Sequence, residues 1–269
     1  MEKKYVHSGK FNPGLTIAWA VVGLIAGAVI SVVYTAIANL NPFIYLNFLA
    51  LIGAVYMLMQ TSIFLIKRSK CRNKTVNAVV TLLMCLFSWY VGWAALMAYQ
   101  FEIDLFWWLA HPGKLLDGML LYADNVGMTL NNSQIPPLVL KIIYGGELLA
   151  YFVPVFLVSN EKLYYCEFCE GFLKQKNHFF TETDLVAEHL DSIKTGDLGF
   201  VDKAQSENRF DKACNAVPEQ YNLNLHTCPG CGAKVFNFYH VNMKLKKGKY
   251  EVATTTPLVE NHYAARTEQ

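Results

Sequence analysis

The sequence predicts two kinds of fold in one chain: an α-helical membrane bundle of four transmembrane helices, and behind it a small α+β domain. Three observations carry this. Hydrophobic residues make up 54% of the chain and charged residues 16%, against about a quarter charged in soluble domains. The apolar residues gather into four runs in the first 158 positions. Beyond the last run stand two Cys-x-x-Cys pairs, Cys166-Glu-Phe-Cys169 and Cys228-Pro-Gly-Cys231, separated by 58 residues.

The runs are residues 14–38, 42–66, 76–99 and 136–158. Each reaches the roughly 20 residues that cross the hydrocarbon as a helix. The first contains Gly23-x-x-x-Gly27, extended by Ser31, a spacing that lets helices approach closely. Ala36-Ile37-Ala38 has the form of a signal-peptidase site, but 25 apolar residues exceed the length of a signal core. The loop after the second run is basic, with Lys67, Arg68, Lys70, Arg72 and Lys74. Lys3, Lys4 and Lys10 precede the first run, and Lys162 follows the fourth. The segment 100–135 has only Lys114 against Glu102, Asp104, Asp117 and Asp124. Positive charge inside then gives a multi-pass plasma (inner) membrane protein with both ends cytoplasmic.

The outer loop at about 101–135 reads as an amphipathic helix on the outer leaflet. Leu105-Phe-Trp-Trp-Leu-Ala-His-Pro leads into Leu115, Leu116, Met119, Leu120 and Leu121. Trp107 and Trp108 are expected at headgroup level, and His111 at a helix end. Asn131-Asn132-Ser133 has the form of a glycosylation sequon.

Two charges interrupt the fourth run. Lys141 lies near its outer end and is expected to snorkel outward. Glu147 lies near the middle, where a charge is costly, with Tyr144 and Tyr151 on the same helical face and Gly145 and Gly146 beside it. Two roles stay open for this intramembrane polar site. One is a proton or cation site; the other is a protonated carboxyl bonded to a neighbouring helix, with Tyr56 and Ser88 at similar depth.

The cysteines follow from topology. A domain on the reducing side disfavours disulfides, and two matched pairs are what a tetrahedral zinc ion takes. Cys166, Cys169, Cys228 and Cys231 are the expected ligands of a structural Zn2+. Pro229, Gly230 and Gly232 suit the turn of the second pair, while the first pair is followed by Glu170 where glycine is usual. Cys214, His178, His226 and His240 are reserve ligands. Cys71 and Cys85 read as ordinary thiols.

Over about 164–252, the two pairs flanked by strand-like runs resemble the zinc-ribbon family. The resemblance implies a metal-clipped domain, here 159–253, with a long insert at 170–227. Ribbons serve in nucleic-acid binding, in protein contacts and as plain clips, so the resemblance implies no single activity. The membrane half resembles uncharacterised bacterial membrane proteins on Asn12-Pro13 and Ile44-Tyr45-Leu46-Asn47-Phe48; that resemblance implies no activity.

Within the domain, 181–193 is expected as a short helix with Leu185, Val186, His189, Leu190 and Ile193 on one face. Residues 196–218 read as loop or a second frayed helix. Val235-Phe-Asn-Phe-Tyr-His-Val alternates as a strand, Lys247-Gly248 reads as a hairpin turn, and the tail 254–269 is expected to be disordered. From Glu161 onward 13 Lys and Arg face 15 Asp and Glu, a net of −2. That balance excludes an extended nucleic-acid surface. The basic cluster Lys244, Lys246, Lys247 and Lys249 suits contact with anionic lipid of the bilayer.

No Walker loop, dinucleotide fingerprint or hydrolase elbow occurs. The sequence therefore favours a non-enzymatic anchor or adaptor that engages a protein partner at the cytoplasmic membrane surface. The alternative is a homo-oligomeric transporter or channel component using Glu147.

Overall fold

The computed structural model describes residues 4–40, 44–125, 129–130, 133–134, 136–181, 183–195, 197–199, 201, 217–246 and 249–264. The chain divides into two compact units. One is Ser8–Lys162; the other joins Met1–His7 to Leu163–Gln269.

In the first unit, four long helices follow the four apolar runs: α1 (Pro13–Leu40), α2 (Ile44–Ser69), α3 (Lys74–Phe101) and α6 (Pro137–Asn160). Each is long and apolar enough to cross a membrane. Their outward faces carry Ile25, Leu49, Leu83, Ile142 and Phe156, all exposed, an apolar surface that a water-soluble bundle would not present. Small residues face inward. A Cβ on Gly23 would lie 2.7 Å from Leu65 Cδ1, and one on Gly27 would meet Ser88 Oγ. From the other side, a Cβ on Gly92 would meet Ser31 Oγ. The Gly23–Gly27–Ser31 spacing is thus spent inside this chain, on the contacts of α1 with α2 and α3.

Between α2 and α3 the chain reverses at Lys70, which takes a left-handed φ of 51°. Asn73 caps α3 by accepting the Val76 N–H at 3.1 Å. Beyond α3 lie α4 (Leu105–Ala110) and α5 (Pro112–Asn125), not one amphipathic helix. Asp104 caps α4 through the Phe106 N–H at 2.7 Å, and Pro112 forces the break between them. Both helices pack on α3, and the Tyr90 hydroxyl donates to the Leu109 carbonyl at 2.8 Å. A short ribbon, β1 (Thr129–Leu130) with β2 (Ser133–Gln134), precedes α6. Asn131 and Asn132 of the sequon lie outside the described residues.

In the second unit, β3 (Tyr165–Cys166) and β4 (Gly171–Phe172) form a ribbon. The main sheet is an antiparallel meander: β5 (Lys174–Phe180), β6 (Glu219–Thr227), β7 (Lys234–Lys246) and β8 (Lys249–Ala264), in that spatial order. Phe180, Leu223, Phe236 and Phe238 of the sheet enclose a core with Val186 and Ile193 from α7 (Thr183–Glu188) and α8 (Leu190–Thr195). The helix expected over 181–193 is therefore interrupted at His189, whose N–H bonds the Val186 carbonyl at 3.2 Å. The break turns the apolar positions of both halves onto one sheet face.

Two expectations are corrected here. The tail is not disordered over 254–264: it is β8, paired with β7 from Lys246↔Lys249 to Lys234↔Ala264. Its apolar period is hidden because the register shifts at three places along the pairing, and each bulge changes which residues face inward. Residues 265–269 lie outside the described part. The division at 158/159, with everything before it assigned to the bundle, also changes. Lys4 bridges to His262, and the Tyr5 N–H donates to the Asn261 carbonyl at 2.8 Å. Residues 4–7 are therefore a piece of the sheet domain, a partnership that no local pattern announces.

Candidate functional site

Each Cys-x-x-Cys pair sits in a hairpin turn. Cys166 ends β3 and Cys169 leads into β4; Cys228 follows β6 and Cys231 precedes β7. The second turn is closed by the Gly232 N–H to the Cys228 carbonyl at 3.0 Å and the Cys228 N–H to the Ala233 carbonyl at 2.8 Å. The four sulfurs lie within 4.8 Å of one another, with Cys166 Sγ and Cys231 Sγ 3.6 Å apart. Sulfurs at about 2.3 Å from a tetrahedral metal stand roughly 3.8 Å apart. The cluster can hold a metal ion.

The two turns match more closely than their sequences. Gly232 takes φ +71° after the second pair, and Glu170 takes φ +49° after the first. A non-glycine thus adopts the left-handed conformation at the matching position, at a cost of about 1 kcal/mol or more. Gly230 is needed for space, because a Cβ there would lie 2.9 Å from Cys169 Sγ. Burial pushes the Cys228 thiol up, but N–H bonds from Cys231 and Gly230 outweigh it and bring it down to about 7. The Cys169 thiol is pushed up to about 12, first by its bond with Cys231 and then by burial. Burial likewise pushes Cys166 up. Burial and the mutual bonds of the thiols thus oppose full ionisation of the cluster without a cation. A metal ion reverses that preference.

Of the reserve ligands, His178 stacks on Phe180 at 6.2 Å, His226 lies against Tyr164 at 4.4 Å, and His240 faces Glu219 at 3.4 Å. Among the described residues none of them joins the cysteine cluster; Cys214 lies outside those residues.

Beside the cluster is a bonded network that the sequence did not reveal. The Tyr164 hydroxyl donates to Asn261 Oδ1 at 2.6 Å, and Asn237 Nδ2 donates to that same hydroxyl at 3.0 Å. The Asn261 N–H donates to Asn237 Oδ1 at 2.9 Å. Tyr5 joins through its hydroxyl, which accepts the Tyr165 N–H at 2.9 Å. A groove of about 620 Å³ runs along Tyr5, Tyr165, Leu173, Val235 and Tyr263, with Phe168 at its edge. Phe168, between the first two cysteines, is 80% exposed.

In the helical unit, Glu147 accepts a hydrogen bond from Tyr34 of α1. The expected neighbours are corrected. Tyr56 is 56% exposed and faces outward. Ser88 donates instead to the Met84 carbonyl of its own helix at 2.6 Å. Tyr144 and Glu147 both line a cavity of about 310 Å³ between helices, together with Tyr34, Trp93 and Tyr122. Tyr151 is turned away from this cavity: its hydroxyl meets Ser31 Oγ at 3.2 Å. Lys141 does not snorkel freely but pairs with Asp124 of α5 at 2.7 Å.

The expected surface residues also change. Trp108 is 5% exposed and packs with Trp93, Met97 and Leu115, so it is a core residue and not a headgroup anchor. Gly118 on α5 makes room for it, since a Cβ there would sit 3.0 Å from the Trp108 ring. Trp107 remains 38% exposed, stacked on His111 at 4.6 Å. Lys244 and Lys246 are exposed on β7 and Lys249 begins β8, but Lys246 pairs with Glu251 at 3.3 Å. Lys247 lies outside the described residues.

No family model, curated protein or solved structure matches this chain. Function therefore rests on these geometries alone.

Proposed function

We propose that the chain is a non-enzymatic membrane anchor or adaptor whose sheet domain is clipped by a structural zinc ion and engages a protein partner at the cytoplasmic face of the plasma (inner) membrane. The observation that carries this is the four-thiol cluster. Cys166, Cys169, Cys228 and Cys231 supply all the ligands, leaving no open position for substrate, which is the mark of a structural zinc and not a catalytic one. The partner reading draws on Phe168, an exposed aromatic beside an apolar groove, the kind of residue that anchors interfaces. The Tyr5–Asn261 bond supports an even number of crossings, because it needs both segments on one side of the bilayer. The basic loop between α2 and α3 supports the cytoplasmic assignment.

Purified protein is expected to carry about one zinc per chain. A photo-crosslinker at Glu167, beside Phe168 in the groove, is expected to trap one partner in cells, and adding Phe168→Asp to abolish that product with zinc retained. A folded metal-free protein would end the zinc reading. A product unchanged by Phe168→Asp would end the assignment of that groove.

A second reading, passage of an ion or small solute through a homo-oligomer, draws on the cavity at Glu147. Its mark is a proteoliposome flux that Glu147→Gln abolishes; a protein without flux returns the bundle to anchoring.

A further inference from the structure

The cavity beside Glu147 has an unusual wall. Its lining comes from α1, α2, α3, α5 and α6, and Glu147 is the one charged residue in it. Tyr34, Trp93, Tyr122, Tyr144 and Phe48 contribute five aromatic rings. Trp93 and Tyr144 meet edge to face at 4.7 Å, and Tyr122 lies 6.5 Å from Tyr144. The Trp93 Nε1 and Tyr144 Oη atoms are buried without a hydrogen-bond partner among the described residues.

Among the described residues no fixed cation answers the carboxylate. On α6 and α5, Lys141 pairs with Asp124, and Lys114 pairs with Asp117. α1 contains no Lys or Arg, Lys67 and Arg68 close the far end of α2, and Lys74 opens the far end of α3. The Tyr34 hydroxyl supplies one hydrogen bond but no charge. A carboxylate held in an apolar bundle needs either a proton or a counter-charge.

We propose that this cavity binds a small organic cation, a substituted ammonium whose charge sits against Glu147 and whose alkyl groups lie on the Tyr34, Trp93, Tyr122 and Tyr144 rings. The chemistry selects this class. Aromatic faces attract a cation through their quadrupole and tolerate alkyl groups, and the attraction grows when water is excluded. A bare divalent metal is a poor occupant, because it favours several charged oxygens, and beside one carboxylate the wall offers only the neutral oxygens of Thr35, Asn39, Asn47 and the tyrosines. An anion meets Glu147 as a like charge. A neutral apolar molecule leaves the carboxylate uncompensated. The site goes beyond anchoring and does not require transport: a cation that binds without crossing the bilayer leaves the anchor reading intact.

The test uses the full chain in lipid nanodiscs and tetrapropylammonium as probe, followed by tryptophan fluorescence and calorimetry. Saturable binding is expected, with sodium chloride at equal ionic strength producing no response. Glu147→Gln keeps an oxygen for the Tyr34 hydroxyl and removes the charge; it is expected to weaken binding by about tenfold or more. Glu147→Asp, which keeps the charge, is expected to retain measurable affinity. A second measurement needs no variant. A hydrophobic carbodiimide is expected to label Glu147 of the wild-type protein, and tetrapropylammonium to protect it, as read by peptide mass spectrometry. Binding unchanged in Glu147→Gln, or labelling of Glu147 that the ammonium ion does not slow, overturns the proposal. If the glutamine variant does not fold, protection of the wild-type carboxyl decides alone. Flux in proteoliposomes, measured separately, tells transport from binding.

Discussion

The sheet domain and the helical unit differ in what they turn outward and in the small polar residues they enclose. The domain encloses Phe180, Leu223, Phe236 and Phe238, and bonds its buried Asn237 to Tyr164 and Asn261. The helical unit turns Ile25, Leu49, Ile142 and Phe156 outward and encloses Ser31, Ser62, Thr81 and Ser88. In water, burying apolar surface drives assembly. Between helices in a lipid-like surround that drive is absent, and close packing of small residues takes its place. One unit is therefore held by buried area, with a four-thiol cluster that can hold a metal ion, and the other by the closeness of α1 to its neighbouring helices. Each should fail by its own route.

The largest expected effect is in the domain. Cys228→Ser removes one of the four thiols that would hold the proposed zinc, an ion whose binding is worth about 10 kcal/mol or more in small zinc domains, comparable with the whole stability of a domain of this size. Zinc loss and rapid proteolysis of the region after Leu163 are expected, with helical circular dichroism from the first unit retained. Loss of both signals together would show that the two units share one fate.

Next comes the helical unit. Gly27→Leu drives a side chain into Ser88 and Met84, where no space exists. An overpacking cost of about 1–3 kcal/mol is expected, read as earlier unfolding in mixed detergent with zinc content unchanged. A neutral outcome would mean that the α1–α3 contact can slide apart cheaply.

Tyr164→Phe follows, with an effect of the same order. It removes a hydroxyl that donates to Asn261 and accepts from Asn237, leaving both amides short of a partner. About 1–3 kcal/mol is expected, seen as a lower Tm of the domain and as faster hydrogen exchange at the Tyr5 amide. The smallest expected effect is a proton count. Cys228 is brought down to about 7, so above that pH it meets zinc already ionised, and below it the ion must displace its proton as well. Proton release on zinc binding should rise by one as pH falls through about 7, as read by calorimetry in buffers of different ionisation enthalpy. A flat count would place the first thiolate elsewhere.

How much of this could be read from sequence depended on the range of each signal. Helix length and the Cys-x-x-Cys turns are local, so the four helices and the sulfur cluster were legible. Glu147 stood out because charge is rare in such a run, but its partner Tyr34 did not, since nothing in a sequence says which face of α1 meets α6. Trp108 carries the composition of a headgroup anchor and is a core residue because Gly118 opens a space for it. β8 was hidden by its bulges. The network through Tyr164, Asn237 and Asn261 joins three distant positions whose residue types are ordinary one at a time. Glu170 sits in a conformation that glycine would have advertised.

The bond between Tyr5 and Asn261 also sets an order of events. A ribosome releases Tyr5 before any helix, and Asn261 only after α1, α2, α3 and α6 have been made. The first strand partner of the domain must therefore wait, unpaired, while the helices are inserted, and the sheet can close only when β8 arrives. A nascent chain stalled short of β8 would expose the β7 edge and leave the early segment open to protease. The seam between the two distant segments thus marks a chain in which synthesis and insertion have both run through to β8.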